Sequence, residues 1–340
     1  MSLRTRPAVG ALLRARGHAL AAASLFAVLA CEAALALVAR GFGAAPLALA
    51  SVPGALLLAA RGRPVAAGVA CALGATGLRL AMLGVPETCD QLAVSRAALE
   101  VIATGASPWG IAYAQSVPPG APFPYGPLAA VVAPFGVPLE IVAMAGLLLL
   151  LAATQTLLTL AILGGATAWA ELGTCGLNDH VPAVLLLAGL LLIARGRVSG
   201  ALLIGLGAGI KPYLLAWAPG LAGLGGAALL LPLVLVAGLA WLPALAWDPR
   251  SWLASVEMAR ALHPRPANAL NRPTLRLLAL PAALVALRAR SWDAAVLAGA
   301  AIFCIVLFLD RWASVGYLLV VVPPVAVIAE RGLRSRIARY

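Results

Sequence analysis

Charge is what this chain has least of: of 340 residues, 11% are Asp, Glu, Lys or Arg, against 63% that are hydrophobic. With a mean hydropathy of +1.01, there is too little polar surface for a water-soluble fold, and a polytopic, all-α membrane protein is what the composition leaves. Lysine is almost missing as well, Lys211 standing alone among 24 basic residues. The 5 cysteines show no Cys-x-x-Cys or Cys/His metal spacing, so no metal site follows from them. The net charge of +12 does not point to nucleic acid. Its arginines punctuate the ends of apolar segments instead of forming one patch, as orientation signals do.

What is present is a series of apolar runs with short basic tips. Residues 18–39, 46–60 and 64–84 read as three spans, the last two joined at Arg61-Gly62-Arg63. Further apolar pieces cover 139–163, 165–176, 181–194, 198–210, 212–222, 225–246, 273–287, 292–309 and 312–330. Tips such as Arg195-Gly196-Arg197 and Arg288-Ala289-Arg290 are positive and hence cytoplasmic, as is the Arg-rich tail. Both termini then lie inside, which requires an even number of crossings, about 10 to 12 at roughly 20 residues each. The reading is a single transmembrane domain over 1–340 in a plasma membrane, surrounded by membrane lipids.

Two polar intervals fall on the opposite, outer face: 87–128 and 247–272. The first carries three acids, Glu87, Asp90 and Glu100, an amphipathic stretch, and then a loop rich in Pro, Gly and aromatics. Around these intervals lie Asn178, Asp179, His180, Lys211, His263, Arg265, Arg272 and Arg276. Ionisable groups near membrane depth are costly and mark function. A carboxylate can take a proton from an attacking hydroxyl while cations hold a departing phosphate.

Each residue also has a plainer role. Asp90 suits a helix N-cap, Glu87 either faces solvent or joins a divalent metal, and Lys211 either snorkels to the interface or holds a phosphate. Trp109 and Tyr125 fit an interfacial aromatic belt or stack on a sugar, and His180 suits an interface. Arg272 and Arg276, about one helical turn apart, share a phosphate or anchor a helix end.

Asp90, Gly105-Ala106-Ser107-Pro108-Trp109 and Phe123-Pro124-Tyr125-Gly126-Pro127-Leu128 together resemble the first external loop of the GT-C membrane glycosyltransferases. The pattern is most like the polyprenol-phosphate-mannose-dependent glycosyltransferase family 87, with Trp109 in place of Tyr and Gly126 in place of Pro. Gly176-Leu177-Asn178-Asp179-His180, the basic turn at 195–197, the Gly-rich stretch 200–209 ending at Lys211, and Asn271-Arg272-Pro273-Thr274-Leu275 are similar to its later blocks. The resemblance covers 87–280 and implies a GT-C-like fold with Asp90 as the general base. It also implies a polyprenyl-phosphate sugar donor, carrying mannose or another hexose or pentose, and a glycan or glycolipid acceptor hydroxyl on the outer face. Lys211, Arg272, Arg276, Trp109, Tyr125, Asn178, Asp179 and His180 are the substrate-binding candidates. No cofactor is required, and a divalent metal at Glu87 is left open. The alternatives are a transporter or flippase of a lipid-linked substrate, for which Arg79 and Glu32 are the charges near mid-membrane, and a non-catalytic membrane scaffold.

Overall fold

Hydrophobic runs punctuated by Gly and Arg can satisfy their backbone in lipid only as helices, and in the computed structural model every element among the described residues is helical. The structure describes residues 6–84, 87, 89–116, 119–262, 272–310 and 314–337. His263, Arg265 and Asn271 lie outside them. In chain order come α1 (Arg6–Ala39), α2 (Ser51–Ala60), α3 (Pro64–Leu80), α4 (Gln91–Ala103), α5 (Pro127–Val132), α6 (Gly136–Ala153), α7 (Leu157–Gly165) and α8 (Thr167–Leu172). There follow α9 (His180–Ala194), α10 (Ser199–Ile210), α11 (Ala218–Gly225), α12 (Ala227–Trp247), α13 (Pro249–Ala261), α14 (Ala279–Ala286), α15 (Trp292–Phe308) and α16 (Tyr317–Ile337).

Among the described residues, three stretches are long and apolar enough to cross a membrane: Arg16–Ala39, Pro127–Ala153 and Ala227–Trp247. The remaining apolar helices are shorter, 10–17 residues, among them Pro64–Leu80, His180–Ala194 and Trp292–Phe308. The span expected over 139–163 is divided. Gln155 takes a left-handed φ of 57°, and the polar Thr154-Gln155-Thr156 turn ends α6 and starts α7. The first half of the expected outer loop at 247–272 is helical, over Pro249–Ala261. Asp248 accepts the Ser251 amide at 3.1 Å and Pro249 occupies the first helical position, a start signal that launches α13.

The chain packs as two compact units, Met1–Pro86 with Val137–Cys175 and Val325–Tyr340, and Glu87–Gly136 with Gly176–Pro324. In the first, the short α7 is held at both ends by charged side chains from other helices. Glu330 of α16 accepts the amides of Leu158 (3.1 Å) and Thr159 (2.9 Å) and the Thr159 hydroxyl (2.8 Å), and His18 Nε2 lies 3.3 Å from it. At the other end Arg79 of α3, wholly buried, donates to the carbonyls of Leu163 (2.8 Å) and Gly164 (3.1 Å), and to Ala75 and Trp169 at 2.9 and 3.0 Å. An anion at a helix N-terminus and a cation at its C-terminus both oppose the helix dipole and satisfy its orphan groups. That is how a helix of 9 residues persists.

In the second unit, small residues let helices touch backbone to backbone, as they do where lipid supplies no hydrophobic drive. A Cβ on Gly200 of α10 would fall 2.2 Å from the Gly189 carbonyl of α9. The Gly-rich run of α10 is therefore a packing surface. It also brings Lys211, the residue that follows it, to the site below.

Candidate functional site

The site lies wholly within the second unit. It begins where α10 stops. Lys211 precedes Pro212 and is extended (φ −135°, ψ 115°), the conformation a following proline imposes, so its side chain leaves the helix line. Lys211 is buried there, 2% exposed. Its Nζ donates to Asp179 Oδ1 at 2.5 Å and to Gln91 Oε1 at 3.1 Å, and lies over the rings of Tyr125 and Tyr213 at 5.1 and 5.7 Å. The Tyr213 hydroxyl donates to the same Asp179 oxygen at 2.5 Å. A buried cation is tolerated only with this kind of pairing, and the two rings add cation–π attraction.

The start of α4 is stitched to the same point. The Leu92 amide donates to the Gly176 carbonyl at 3.1 Å, and the Asn178 amide to Gln91 Oε1 at 3.4 Å. Asp90 occupies the N-cap position of α4, yet its side chain makes no capping hydrogen bond. It lines a cavity of about 520 Å³ together with Gln91, Tyr125, Lys211 and Tyr213. Seven helices, α4 to α10, separate Asp90 from Lys211 in the sequence, and the fold returns them to one cavity.

The rest of the cavity is built by elements whose roles differ. The loop before α5 gives Ala121, Pro122 and Pro124, and α13 gives Trp252, Val256 and Ala259, followed by Leu262 just past its end, a mostly apolar face. Val306 and Leu307 of α15 continue that wall, which ends at Arg276, Asp310 and Tyr317. Arg276 Nη1 lies 2.8 Å from Asp310 Oδ2, both side chains about a quarter exposed. The loop and α13 are bonded to each other. The Gly110 amide donates to the buried Ser255 hydroxyl at 2.8 Å, and Trp252 Nε1 to the Pro124 carbonyl at 3.4 Å. Burial first, and then the nearby Tyr317, Asp179 and Asp90, hold the Tyr125 phenol well above its ordinary range, so it stays protonated and able to donate.

Four of the sequence candidates therefore meet in the cavity: Asp90, Tyr125, Lys211 and Arg276. Asp179, fully buried, acts on it through Lys211 and Tyr213. Trp109 does not reach it. That ring is 3% exposed, edge-on to Trp247 at 6.1 Å and tilted against Phe123 at 6.5 Å, and its Nε1 donates to the Tyr125 carbonyl at 3.3 Å. It packs the loop that carries Tyr125 and has no face left for a sugar. Asn178 and His180 are buried and are not among the lining residues. Arg272 is exposed and its amide donates to the Leu309 carbonyl at 3.0 Å. Glu87 is paired with Arg96, so its carboxylate is committed to a side chain five residues into α4. Among the described residues no group of three or more His, Cys, Asp or Glu side chains is placed to hold a metal.

Gln91, Tyr213, Tyr317 and Asp310 line the cavity without standing out in the sequence, and Trp252, which suits an interfacial aromatic belt, lines it too. Gln91 adjoins Asp90, Tyr213 follows Lys211 by two, and the spacing of Trp252, Val256 and Ala259 is that of one helix face. Tyr317 and Asp310 carry no such local signal. Gly126, where the family pattern has Pro, has a reason here: a Cβ on it would lie 2.2 Å from the Gly209 carbonyl, so no side chain fits between the loop and the end of α10.

Compared with known proteins, the chain matches no family model, no curated protein and no solved structure.

Proposed function

We propose that the protein is a membrane glycosyltransferase of the GT-C kind that takes a sugar from a polyprenyl-phosphate donor. The observation that carries this reading is the meeting of Asp90 and Lys211 in one cavity that is polar at Lys211 and apolar along α13 and α15. An amphiphile with an anionic head and a hydrocarbon chain fits that division. In the scaffold alternative, nothing would bring these two residues together.

In this mechanism the Asp90 carboxylate takes the proton of the acceptor hydroxyl as its oxygen attacks the anomeric carbon in line. The bond from that carbon to the phosphate oxygen breaks, and the polyprenyl phosphate leaves with the electron pair. The ammonium of Lys211 has three N–H donors, of which Asp179 and Gln91 take two; the third is directed to the leaving phosphate. A single displacement inverts the anomeric centre and needs no covalent intermediate. The membrane topology belongs to the same reading: about 10 to 12 crossings in the plasma membrane, both termini cytoplasmic, the cavity on the outer face.

A flippase would use charges within the bilayer, but Arg79 caps α7 and the exposed Glu32 accepts the Thr167 hydroxyl at 2.6 Å. The test is transfer of radiolabelled sugar from polyprenyl-phosphate donors by the purified protein in nanodiscs. Asp90→Asn is expected to fold and bind donor while losing transfer; full activity of that variant sinks the assignment.

A further inference from the structure

The cavity has a second polar pole. Its described lining holds two carboxylates, Asp90 and Asp310, and two cations, Lys211 and Arg276. Each cation already faces a carboxylate, Lys211 with Asp179 at 2.5 Å and Arg276 with Asp310 at 2.8 Å. The two poles differ in what they still offer. Lys211 keeps one N–H, and the carboxylate that neutralises it, Asp179, is fully buried and does not line the cavity; the lining carboxylate on that side is the base, Asp90. At the other pole the carboxylate itself lines the cavity beside the guanidinium.

A phosphate oxygen can only accept hydrogen bonds. At Arg276 it would meet the charge of Asp310 a few ångströms away, a repulsion on the order of the attraction it gained, since unit charges at 4 Å interact by about 4 kcal/mol at an effective dielectric of 20. A hydroxyl both donates and accepts. It can give its proton to Asp310 while taking one from Arg276, whose guanidinium carries five N–H donors and has Asp310 as its ion-pair partner. About a quarter exposed and charge-balanced, the pair is built for a neutral, hydroxyl-rich group. Tyr317, also in the lining and within 5.6 Å of the Tyr213 ring, gives that end of the cavity an aromatic wall.

We infer that Arg276 and Asp310 form a carbohydrate-hydroxyl subsite, distinct from the Lys211 pole that holds the phosphate. The inference rests on the transferase reading above, and it takes Arg276 out of the phosphate-binding role that the sequence pattern suggested. The hydroxyls belong either to the donor sugar or to the acceptor.

The experiment compares binding of bare polyprenyl phosphate and of polyprenyl-phosphate mannose to the full chain in nanodiscs, wild type against Asp310→Asn, with the acceptor KM measured alongside. Asp310→Asn unpairs Arg276 and adds one positive charge to the cavity. The bare phosphate is therefore expected to bind several-fold tighter to the variant, while either the preference for the mannosylated lipid falls about tenfold or the acceptor KM rises about tenfold. The first outcome assigns the hydroxyls to the donor and the second to the acceptor. Weaker binding of the bare phosphate would show that Asp310 orients Arg276 onto the phosphate and would overturn the subsite, as would no change in either sugar measurement. If Asp310→Asn does not fold, the neutral pair Arg276→Gln with Asp310→Asn replaces it. That variant is expected to hold bare phosphate as the wild type does and to lose the sugar effect; loss of bare-phosphate binding overturns the proposal. A wild type that binds neither lipid would overturn the transferase reading, and the subsite with it.

Discussion

Replacing Lys211 with Met removes the cation buried against Asp179. Methionine is close to the shape of the lysine stem, so packing is nearly conserved and the electrostatic loss stands alone. The Lys211 side chain is 3% exposed and that of Asp179 0%, and breaking a buried pair from one side leaves an uncompensated charge, a loss of about 3–5 kcal/mol. The Gln91 oxygen also loses its 3.1 Å donor, whereas the Tyr213 hydroxyl keeps its bond to Asp179. At about 1–2 °C per kcal/mol for a chain of this size, Tm is expected to fall by roughly 4–8 °C. Thermal unfolding in detergent, followed by intrinsic fluorescence, reads this directly. The companion is the double variant Lys211→Met with Asp179→Asn, which removes the orphaned charge and leaves Tyr213 an acceptor. It is expected to recover most of the loss, with a coupling of about 2 kcal/mol or more. A single variant that costs under about 1 kcal/mol, or a double variant no better than the single, would refute the buried-pair argument. Neither variant should bind the lipid phosphate, so stability and binding are expected to separate in the double.

Arg79→Met takes away the donors to four carbonyls and is expected to cost about 3 kcal/mol or more, measured as a fall in Tm; a stable variant that loses only lipid movement across the bilayer would favour the transporter instead. Glu87→Gln breaks a partly exposed pair with Arg96, for which about 0–1 kcal/mol is expected, and transfer measured with and without added divalent metal should match the wild type. A tenfold loss of transfer in that variant would return Glu87 to the site.

Much of the site could be read in the sequence because its chemistry uses rare residues. Asp90 stands in a polar interval between apolar runs, and Lys211 is a single lysine in a chain of arginines. Their partners were not equally legible. Asp179 stands out beside His180, but that it serves Lys211 depends on the Pro212 break that turns the lysine out of α10. Trp109 has the composition of a sugar platform, and only the positions of Phe123 and Trp247 reveal that its faces are used. Arg79 looked like a functional charge within a span. Its partners are backbone carbonyls some 85 residues on, and a carbonyl leaves no trace in residue type. The division of 139–163 at Gln155 followed a polar turn of three residues, too short to interrupt a hydropathy pattern. Asp310 lies at the end of an apolar helix, and its ion pair with Arg276 is set by the fold alone.

The central claim is that Asp90 acts as a base on a hydroxyl while Lys211 holds a lipid phosphate. The most direct measurement is donor binding and sugar transfer by Asp90→Asn, side by side in the same nanodisc preparation. Donor affinity within about twofold of the wild type, with transfer reduced by roughly a thousandfold or more, is the expected result. Transfer at the wild-type rate would contradict it.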